Sequence, residues 1–387
     1  MLAVPPPCAP PRWTALPDGV EGWLVTRYGD ARAVLSDPRF IRDPARVARL
    51  RGAAGLAPAH GRGFGVGRGS TLLHVDPPEH TRLRRAVGPM FTTRRAESHG
   101  SLIDELARTL VGRCAGSGMA DLVCDLAVPL AVGVLCQVAG LPPADHARFG
   151  PSVRRVHRID QGSGAGQRTV EAISALDRYL EERIARGRAS GVLAELVDSE
   201  RLSEDEVIAL GRDLLVGGYE STANLISGGL ALLLAEPSRY ERVRRDPTLV
   251  GATVEESLHQ VAPFPELEAR YAAEAVEVGG TLISAGDAVV VNVAAANRDP
   301  DRFPAAERWS VDEPGGHLSF GHGAHHCLGA VLARREADAA LRAVINGLGD
   351  LRLGCRPEEL EWEPGLSPGL RSLPVRFTAR PPSGHAG

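Results

Sequence analysis

Helical patterns of apolar and polar residues cover most of the chain, and the longest lies near its middle. Ser203-Glu204-Asp205-Glu206 has the form of a capping box, in which the serine and the second glutamate satisfy N–H groups of the first helical turn. The largely apolar sequence that follows can stay helical to Glu236, where Pro237 ends it. At 1.5 Å per residue such a helix is roughly 50 Å long, enough to cross the whole molecule.

Proline and capping residues mark three further helices. We expect Asp76 to be the N-cap of the first one, because Pro77 directly follows it. The predicted helices cover Pro77–Val87, the segment from Asp246 to about His259, and the segment from Cys327 to about Gly347.

Strand signals are fewer and local. Gly279-Gly280 has the composition of a tight hairpin turn between two short strand-like runs. The predicted strands are Val276–Val278, Thr281–Ile283, Ala288–Ala294 and Leu373–Thr378. Because strands and helices do not alternate regularly, the pattern predicts a mainly α fold with small β-sheets rather than a parallel α/β fold.

Two segments rich in glycine, residues 51–69 and 158–168, predict flexible loops. Neither loop separates regions of different composition, so we expect residues 1–387 to form a single domain. The last residues, 381–387, are expected to be frayed.

Composition removes several kinds of chemistry. The 387 residues include 44 basic ones, all of them arginine, and 48 acidic ones, which gives a formal charge of −4. A chain without lysine can form no Schiff base with a lysine, hold no pyridoxal phosphate on one, and contain no phosphate-binding P-loop lysine. The slightly negative charge gives no overall electrostatic reason to bind nucleic acid or an anionic membrane.

The six cysteines include no C-x-x-C pair, which favours reduced thiols in a reducing compartment. The first residues have neither the charged region nor the apolar region of a signal peptide. The longest apolar stretch, Leu126–Cys136, is shorter than the roughly 20 residues that cross a bilayer. We therefore expect a cytoplasmic protein that does not enter the membrane.

The most informative stretch is Phe320-Gly321-His322-Gly323-Ala324-His325-His326-Cys327-Leu328-Gly329. Its three glycines let the backbone fold tightly and approach a bulky planar group. Cys327 precedes a predicted helix, whose N–H groups and positive end favour thiolate over thiol. A thiolate held in this way suits an axial ligand of haem iron.

Two other interpretations of the stretch remain open. Cys327 could be a structural cysteine beside a cluster of solvent-facing histidines. The nearby histidines could also make a zinc site with it, although adjacent ligands on one tight loop are poorly placed for tetrahedral coordination. These histidines are His317, His322, His325 and His326.

The stretch resembles the haem-binding signature of the cytochrome P450 superfamily, and the likeness extends over essentially the whole chain, most of all to the soluble bacterial members. The resemblance implies a helical prism with a long central helix and a smaller β-rich part. It also implies haem b (iron protoporphyrin IX), with Cys327 as the iron ligand. The residues Phe320, Gly321 and Gly329 would form the haem-binding loop.

The middle of the predicted long helix reads Gly217-Gly218-Tyr219-Glu220-Ser221-Thr222. Two glycines inside a helix cost roughly 1 kcal/mol each relative to alanine, which suggests close approach of the backbone to another group or close helix packing. The segment resembles the oxygen-activation motif of the family, which carries the acid onto Glu220 and the hydroxyl onto Ser221. The family usually has threonine in place of Ser221, so Thr222 or a substrate group could share its role.

His80 and Arg84 are spaced i, i+4, so they lie on one face of their predicted helix and can bind a carboxylate together. Their surroundings resemble the family helix whose histidine and arginine bind the haem propionates. The same resemblance adds Arg270 and His325 to the propionate-binding residues. Arginine suits this role because its planar guanidinium can bind a carboxylate through two hydrogen bonds.

The helix before Pro263 resembles the family's Glu-x-x-Arg segment, which is joined by a second arginine from a later loop. Glu256 and Arg308 fit the glutamate and the later arginine, but His259 stands in place of the first arginine. We expect a rearranged Glu256–His259–Arg308 network that supports the core beside the haem.

The resemblance predicts a monooxygenase that activates dioxygen to oxidise, most simply to hydroxylate, a small organic molecule, with secondary metabolism as the expected setting. Electrons would come from NAD(P)H through a ferredoxin and a ferredoxin reductase, docked against arginines, and the enzyme would be a monomer. Alternatives are an oxidative coupling enzyme of the same fold and a non-catalytic haem protein. The segments expected to contact the substrate are 51–74, 150–170, Ala223–Ile226, Pro263–Glu268 and Pro368–Ser372.

Overall fold

The computed structural model describes residues 5–16, 21–50, 52, 67–158, 165–187, 189–312 and 315–378. The predicted loop at 51–69 is therefore described only at residue 52 and over 67–69, and the end at 381–387 lies outside the described residues.

The described residues form mostly helices. These are α1 Tyr28–Ser36, α2 Pro44–Leu50, α3 Glu79–Val87, α4 Thr93–Ser98, α5 Gly100–Cys114, α6 Val128–Ala139, α7 His146–His157, α8 Ala165–Ala185, α9 Gly191–Val197, α10 Glu204–Gly217, α11 Glu220–Leu234, α12 Pro237–Arg245, α13 Val250–Val261, α14 Val293–Ala296 and α15 Ala330–Gly347.

The strands are short: β1 Arg12–Ala15, β2 Glu21–Val25, β3 Phe40–Ile41, β4 Met119–Asp121, β5 Arg270–Ala272, β6 Val276–Val278, β7 Thr281–Ile283, β8 Ala288–Val291, β9 Gly349–Leu353, β10 Trp362–Glu363, β11 Gly369–Leu370 and β12 Pro374–Thr378. One sheet has the order β1-β2-β8-β5-β3, with β2 and β8 parallel and the other pairs antiparallel. A second has the order β4-β12-β9, and β6-β7 and β10-β11 form two-stranded pairs. The predicted mainly α fold with small sheets is confirmed.

Helix α11 lies in the middle of the helical part and packs against α6, α12, α13 and α15. Its buried residues, among them Leu225, Ile226 and Leu230, face several directions, as expected for a helix with protein on all sides. Strand β8 has the same central position in the large sheet that α11 has among the helices. All four of its residues are buried because β8 lies between β2 and β5 and both of its faces pack into apolar clusters.

The single long helix expected from Ser203 to Glu236 is wrong, because the structure divides it into α10 and α11. Its start is confirmed: Ser203 Oγ accepts a hydrogen bond from the Glu206 N–H, and a Glu206 carboxylate oxygen accepts one from the Ser203 N–H at 2.8 Å. The break occurs at Gly218 and Tyr219, where Tyr219 has φ −132° and ψ −39°. The apolar pattern continues through the break, so it gave no signal of an interruption.

Three boundaries also differ from the prediction. Helix α3 begins at Glu79, and Asp76 does not cap it, because the Asp76 carboxylate accepts hydrogen bonds from the N–H groups of Arg42 and Asp43 instead. Strand β8 ends at Val291, because Asn292 caps α14 by accepting a hydrogen bond from the Ala295 N–H. The loop expected over 158–168 includes the first turn of α8.

No single helix in the described residues has both the length and the apolar character to cross a membrane. The segments Val123–Ala139 and Pro143–His157 together satisfy the length and composition criteria, but they are bent by 116° relative to each other.

Candidate active site

The loop from Phe320 to Gly329 turns tightly beneath a pocket. Gly321 and Gly323 have φ values of +71° and +72°, a region that side-chain-bearing residues rarely adopt. A Cβ atom on Gly323 would also lie 2.5 Å from the Leu35 carbonyl oxygen, so glycine is required at that position. The Cys327 N–H donates to the Phe320 carbonyl at 2.9 Å, which closes the loop, and the Cys327 side chain faces the pocket.

The electrostatics around the Cys327 sulfur differ from the prediction. Cys327 lies just before α15, and the Gly329 N–H together with the charges of Arg84 and Arg334 lowers the thiol pKa. Removal of the thiol from bulk water raises the pKa by more, so the net shift is upward. The helix start alone therefore does not make Cys327 a thiolate, whereas coordination to a metal cation would.

Five basic side chains meet at one edge of this pocket: Arg42, His80, Arg84, Arg270 and His325. Four of them were predicted, and the His80 and His325 rings lie with their centroids 4.2 Å apart. Burial and the charge of Arg42 lower the pKa of Arg270 to about 9. Burial and the surrounding cations also lower the pKa of His325. Such a concentration of positive charge requires anions to neutralise it.

Arg42 is the member that sequence reasoning missed. It follows the two-residue strand β3 and comes to the cluster from a distant part of the chain, so no local motif marks it. One guanidinium nitrogen binds Glu268 at 2.5 Å. Within the described residues, the buried Nε atom of Arg42 and the buried Nε2 atom of His80 have no hydrogen-bond partner. These unsatisfied groups fit the two propionates of haem, and the residues present therefore suit that cofactor.

The junction of α10 and α11 forms the opposite wall of the pocket. Gly217 has open space where a Cβ atom would project, and it lines the pocket. A Cβ atom on Gly218 would instead lie 2.3 Å from the Leu214 carbonyl oxygen and 2.7 Å from Leu135. Gly217 thus keeps the pocket open, whereas Gly218 permits close packing, so both explanations of the glycine pair apply.

The two hydroxyl candidates also lie at this wall. Ser221 Oγ donates to the Gly217 carbonyl at 3.3 Å, a bond to residue i−4 that accompanies the local opening of the helix. Ser221 and Thr222 both line the pocket, and Thr222 is buried.

The Glu220 side chain interacts with a residue of another helix. Its carboxylate forms a hydrogen bond with Nδ1 of His157, the last residue of α7. His157 is 4% exposed and lines the pocket, and its carbonyl accepts a hydrogen bond from the Leu366 N–H at 2.8 Å. Sequence reasoning missed His157 because its link to Glu220 spans 63 residues and belongs to no local pattern.

The expected Glu256–His259–Arg308 network is only partly correct. His259 Nδ1 lies 3.2 Å from a Glu256 carboxylate oxygen, and its Nε2 lies 2.5 Å from the Asn297 carbonyl. The other Glu256 oxygen accepts hydrogen bonds from the Gln260 side chain and the Ser310 N–H, at 3.0 and 3.1 Å. Arg308 is exposed and makes no hydrogen bond to Glu256 within the described residues.

The histidines near Cys327 diverge rather than converge. His317 pairs with Glu255, with 3.3 Å between Nε2 and the carboxylate, and His325 packs against His80. Over the described ranges, no three or more His, Cys, Asp or Glu side chains are grouped so that they could hold a metal ion. The zinc interpretation therefore has no ligand set there.

Only some of the segments expected to contact the substrate line the pocket. Leu72, His157 and Leu225 line the pocket, and so does most of the segment Pro263–Glu268. The residues Pro368–Ser372 do not line it, although Leu366 does. The reason is that Asn224 on α11 donates to the Ser367 carbonyl at 2.9 Å and lies close against Gly369, which holds this segment away from the pocket.

Known proteins resemble this chain over most of its length. The family model described as Cytochrome P450 matches residues 173–347. Cytochrome P450 107B1 of Saccharopolyspora erythraea is 37% identical over 369 residues, covering 93% of this chain and 90% of that protein. The mycinamicin IV hydroxylase/epoxidase of Micromonospora griseorubida is 40% identical over 382 residues, covering 93% and 90%. The crystal structure of the myxobacterial cytochrome P450 CYP267B1 with myristic acid matches with a TM-score of 0.85 and 31% identity, over 96% of this chain and 94% of that one.

The fold and the relatives thus define the class of protein, a haem protein. The chain belongs to the cytochrome P450 family. It is a haem-dependent monooxygenase, an oxidoreductase that uses molecular oxygen on a small-molecule substrate.

Proposed function

We propose that Cys327 is the axial ligand of the haem iron and that Arg42, His80, Arg84, Arg270 and His325 bind the haem propionates. The observation that carries this assignment is the position of the Cys327 sulfur, which faces a pocket whose edge holds five basic side chains. Phe320, Gly321 and Gly329 shape the loop that holds the sulfur in place. Bound haem would supply the iron at which dioxygen is bound and reduced.

The α10–α11 junction supplies the protons. Ser221 and Thr222 line the pocket with their hydroxyl groups, Gly217 keeps the pocket open beside them, and Gly218 permits close packing against Leu135. Glu220 is the acid of this junction, and its carboxylate is held by a hydrogen bond to His157. We assign Glu220, Ser221 and Thr222 as catalytic residues and His157 as the residue that positions Glu220.

The substrate is a small organic molecule in a largely apolar pocket. Its walls include Leu72, Val138, Leu214, Phe264 and Leu366. We propose oxidation of a secondary metabolite, most simply a hydroxylation. Support comes from the similarity to a relative named for the hydroxylation and epoxidation of mycinamicin IV.

Electrons would reach the haem from NAD(P)H through a ferredoxin reductase and a ferredoxin, and the enzyme would act as a monomer with residues 1–387 as one domain. Arg85 on α3 and Arg94 on α4 are exposed. Both helices lie beside the cysteine loop, since the charge of Arg84 acts on Cys327 and α4 packs against α15. An acidic ferredoxin surface could bind these arginines.

A turnover assay tests the proposed function. The holoenzyme, a surrogate ferredoxin with its reductase, and NADPH are incubated with a panel of secondary metabolites. We expect at least one compound to accelerate NADPH oxidation and to yield a product that carries one oxygen atom from ¹⁸O₂. If the protein holds haem but no compound of the panel accelerates NADPH oxidation and no product forms, the protein would instead be a non-catalytic haem carrier.

A further inference from the structure

Asp213 is an acidic residue in an otherwise largely apolar part of the pocket. It lies on α10 four residues before Gly217, so the two residues share one helix face about 6 Å apart along the axis. Both line the pocket, together with Leu72, Leu210 and Leu214. Asp213 therefore stands beside the substrate space, one helical turn from the oxygen-activating junction.

Only one of the two Asp213 carboxylate oxygens accepts a hydrogen bond from the described residues. Its Oδ2 atom accepts a hydrogen bond from the Leu72 N–H at 2.9 Å. Its Oδ1 atom accepts none from the described residues and is not among their buried unsatisfied atoms, so it is open to the pocket. An oxygen acceptor without a partner in apolar surroundings favours a ligand that brings a donor or a positive charge.

The basic residues near Asp213 interact with other partners. Arg212, the preceding residue, is buried and pairs with Asp177, and another of its nitrogens donates to the Arg68 carbonyl at 3.2 Å. His74 lies 3.1 Å from Glu268, which also binds Arg42 at 2.5 Å. Burial raises the pKa of Asp213 to about 6, and the charges of Arg212 and His74 only partly offset this effect. A cation in the pocket would stabilise the ionised form.

We infer that Asp213 binds a positively charged nitrogen of the substrate, so that the substrate class is an amine-bearing secondary metabolite. The inference rests on the proposed function and makes it more specific. Because Asp213 and Gly217 are about 6 Å apart along α10, the bound nitrogen would lie about one helical turn from the α10–α11 junction. The competing explanation is that Asp213 only fastens the backbone at Leu72, which a neutral amide would do equally well.

A pair of probes of equal shape separates these explanations. Trimethyl(2-phenoxyethyl)ammonium carries a permanent positive charge and cannot coordinate iron, and 3,3-dimethylbutyl phenyl ether is its neutral carbon isostere. Binding to the ferric holoenzyme is followed through the Soret band. We expect the wild type to bind the cation about tenfold more tightly than the ether, as one charged contact of about 1.4 kcal/mol would give.

Two variants complete the test. Asp213→Asn keeps an acceptor for the Leu72 N–H but removes the charge, and we expect the preference for the cation to disappear. Glu277→Gln removes an exposed carboxylate on β6 that does not line the pocket, and it should leave the preference at its wild-type value. Equal binding of the two probes by the wild type, an unchanged preference in Asp213→Asn, or no binding of the cation would overturn the inference.

Wild-type protein alone provides a second measurement if Asp213→Asn does not load haem. The charged groups near Asp213 are Arg212 on its own helix, His74 on the facing segment, and Glu268 with its partner Arg42. Binding of the cation should weaken as the pH falls from 7 to 5, while binding of the neutral ether stays constant. The same pH dependence of binding for both probes would contradict the inference. Haem loading and turnover are measured separately, so failure of the proposed function remains distinguishable.

Discussion

At the scale of single residues, Glu220 and Ser221 are adjacent in sequence but contact different groups. Ser221 lines the pocket and bonds back to Gly217, whereas Glu220 pairs with His157 at the end of α7. In the proposed proton relay, the hydroxyl groups of Ser221 and Thr222 form the inner part, and Glu220, positioned by His157, forms the outer part. The outer part depends on a residue outside the motif.

We predict that His157→Phe lowers kcat about tenfold with little change in KM, because Glu220 loses the group that positions it while the substrate walls remain. His157→Gln keeps a hydrogen-bond donor and should recover part of the loss. Steady-state product formation measures both effects. An equal fall in both variants, or a change confined to KM, would contradict a positioning role for His157.

The choice between the two hydroxyl groups is also open to measurement. A threonine at position 221 has a more restricted rotamer, so Ser221→Thr should raise the amount of product formed per NADPH. Ser221→Ala should lower it by up to about tenfold. Thr222→Val is the matched comparison, and a larger loss in that variant than in Ser221→Ala would move the role to Thr222.

Most of the residues that the sequence could identify lie in local motifs. Cys327, Gly321 and His325 share one loop, and His80 and Arg84 share one helix face. Arg42, His157 and Asp213 could not be found in this way. Arg42 pairs across 226 residues with Glu268, and Asp213 receives its hydrogen bond across 141 residues from Leu72. Such contacts depend on tertiary packing, which a periodic pattern does not encode.

At the scale of elements, the break between α10 and α11 is the feature that brings Ser221 and Thr222 to the pocket. An apolar pattern predicts which residues are buried, but it does not distinguish one helix from two in line. The glycine pair was the signal, and the structure gives each glycine its own reason: Gly217 faces the pocket and Gly218 faces Leu135.

We predict that Gly218→Ala destabilises the protein by about 1–3 kcal/mol, because the new methyl group would overlap the Leu214 carbonyl and Leu135. Gly217→Ala is the matched control. Its methyl group meets open space, so the free energy of unfolding should stay constant or rise by up to about 1 kcal/mol. Urea unfolding followed by circular dichroism measures both. Equal destabilisation by the two variants would show that close packing at Gly218 is not the cause.

At the scale of the whole molecule, Glu255 joins three parts that meet at the haem-binding loop. From α13 it pairs with His317, in the segment before the loop, at 3.3 Å and with Arg334 on α15 at 2.6 Å. Burial raises the pKa of Glu255, but the hydrogen bonds and charges of His317 and Arg334 outweigh it and hold the pKa at about 2. Because the chain has no lysine, the basic partners of Glu255 are arginine and histidine, as are the five basic side chains at the edge of the pocket.

We predict that Glu255→Gln destabilises the holoenzyme by about 1–3 kcal/mol at pH 7. A carboxyl whose folded pKa is lowered stabilises the fold above its ordinary pKa of 4.5 and loses that contribution as the pH falls towards 2. The difference between wild type and variant should therefore stay constant from pH 7 to about pH 5.5 and narrow as the pH falls through 4.5 towards 2. Unfolding curves at several pH values check this, and a difference that grows on acidification would contradict it.

The central claim is that Cys327 binds the haem iron as a thiolate. The most direct measurement is the absorption spectrum of the reduced protein under carbon monoxide, for the wild type and for Cys327→His. We predict that the wild type has the strongly red-shifted Soret band of a thiolate-ligated complex. Cys327→His should keep haem but have the unshifted band of a histidine-ligated complex. A red-shifted band in both proteins, or in neither, would contradict the assignment.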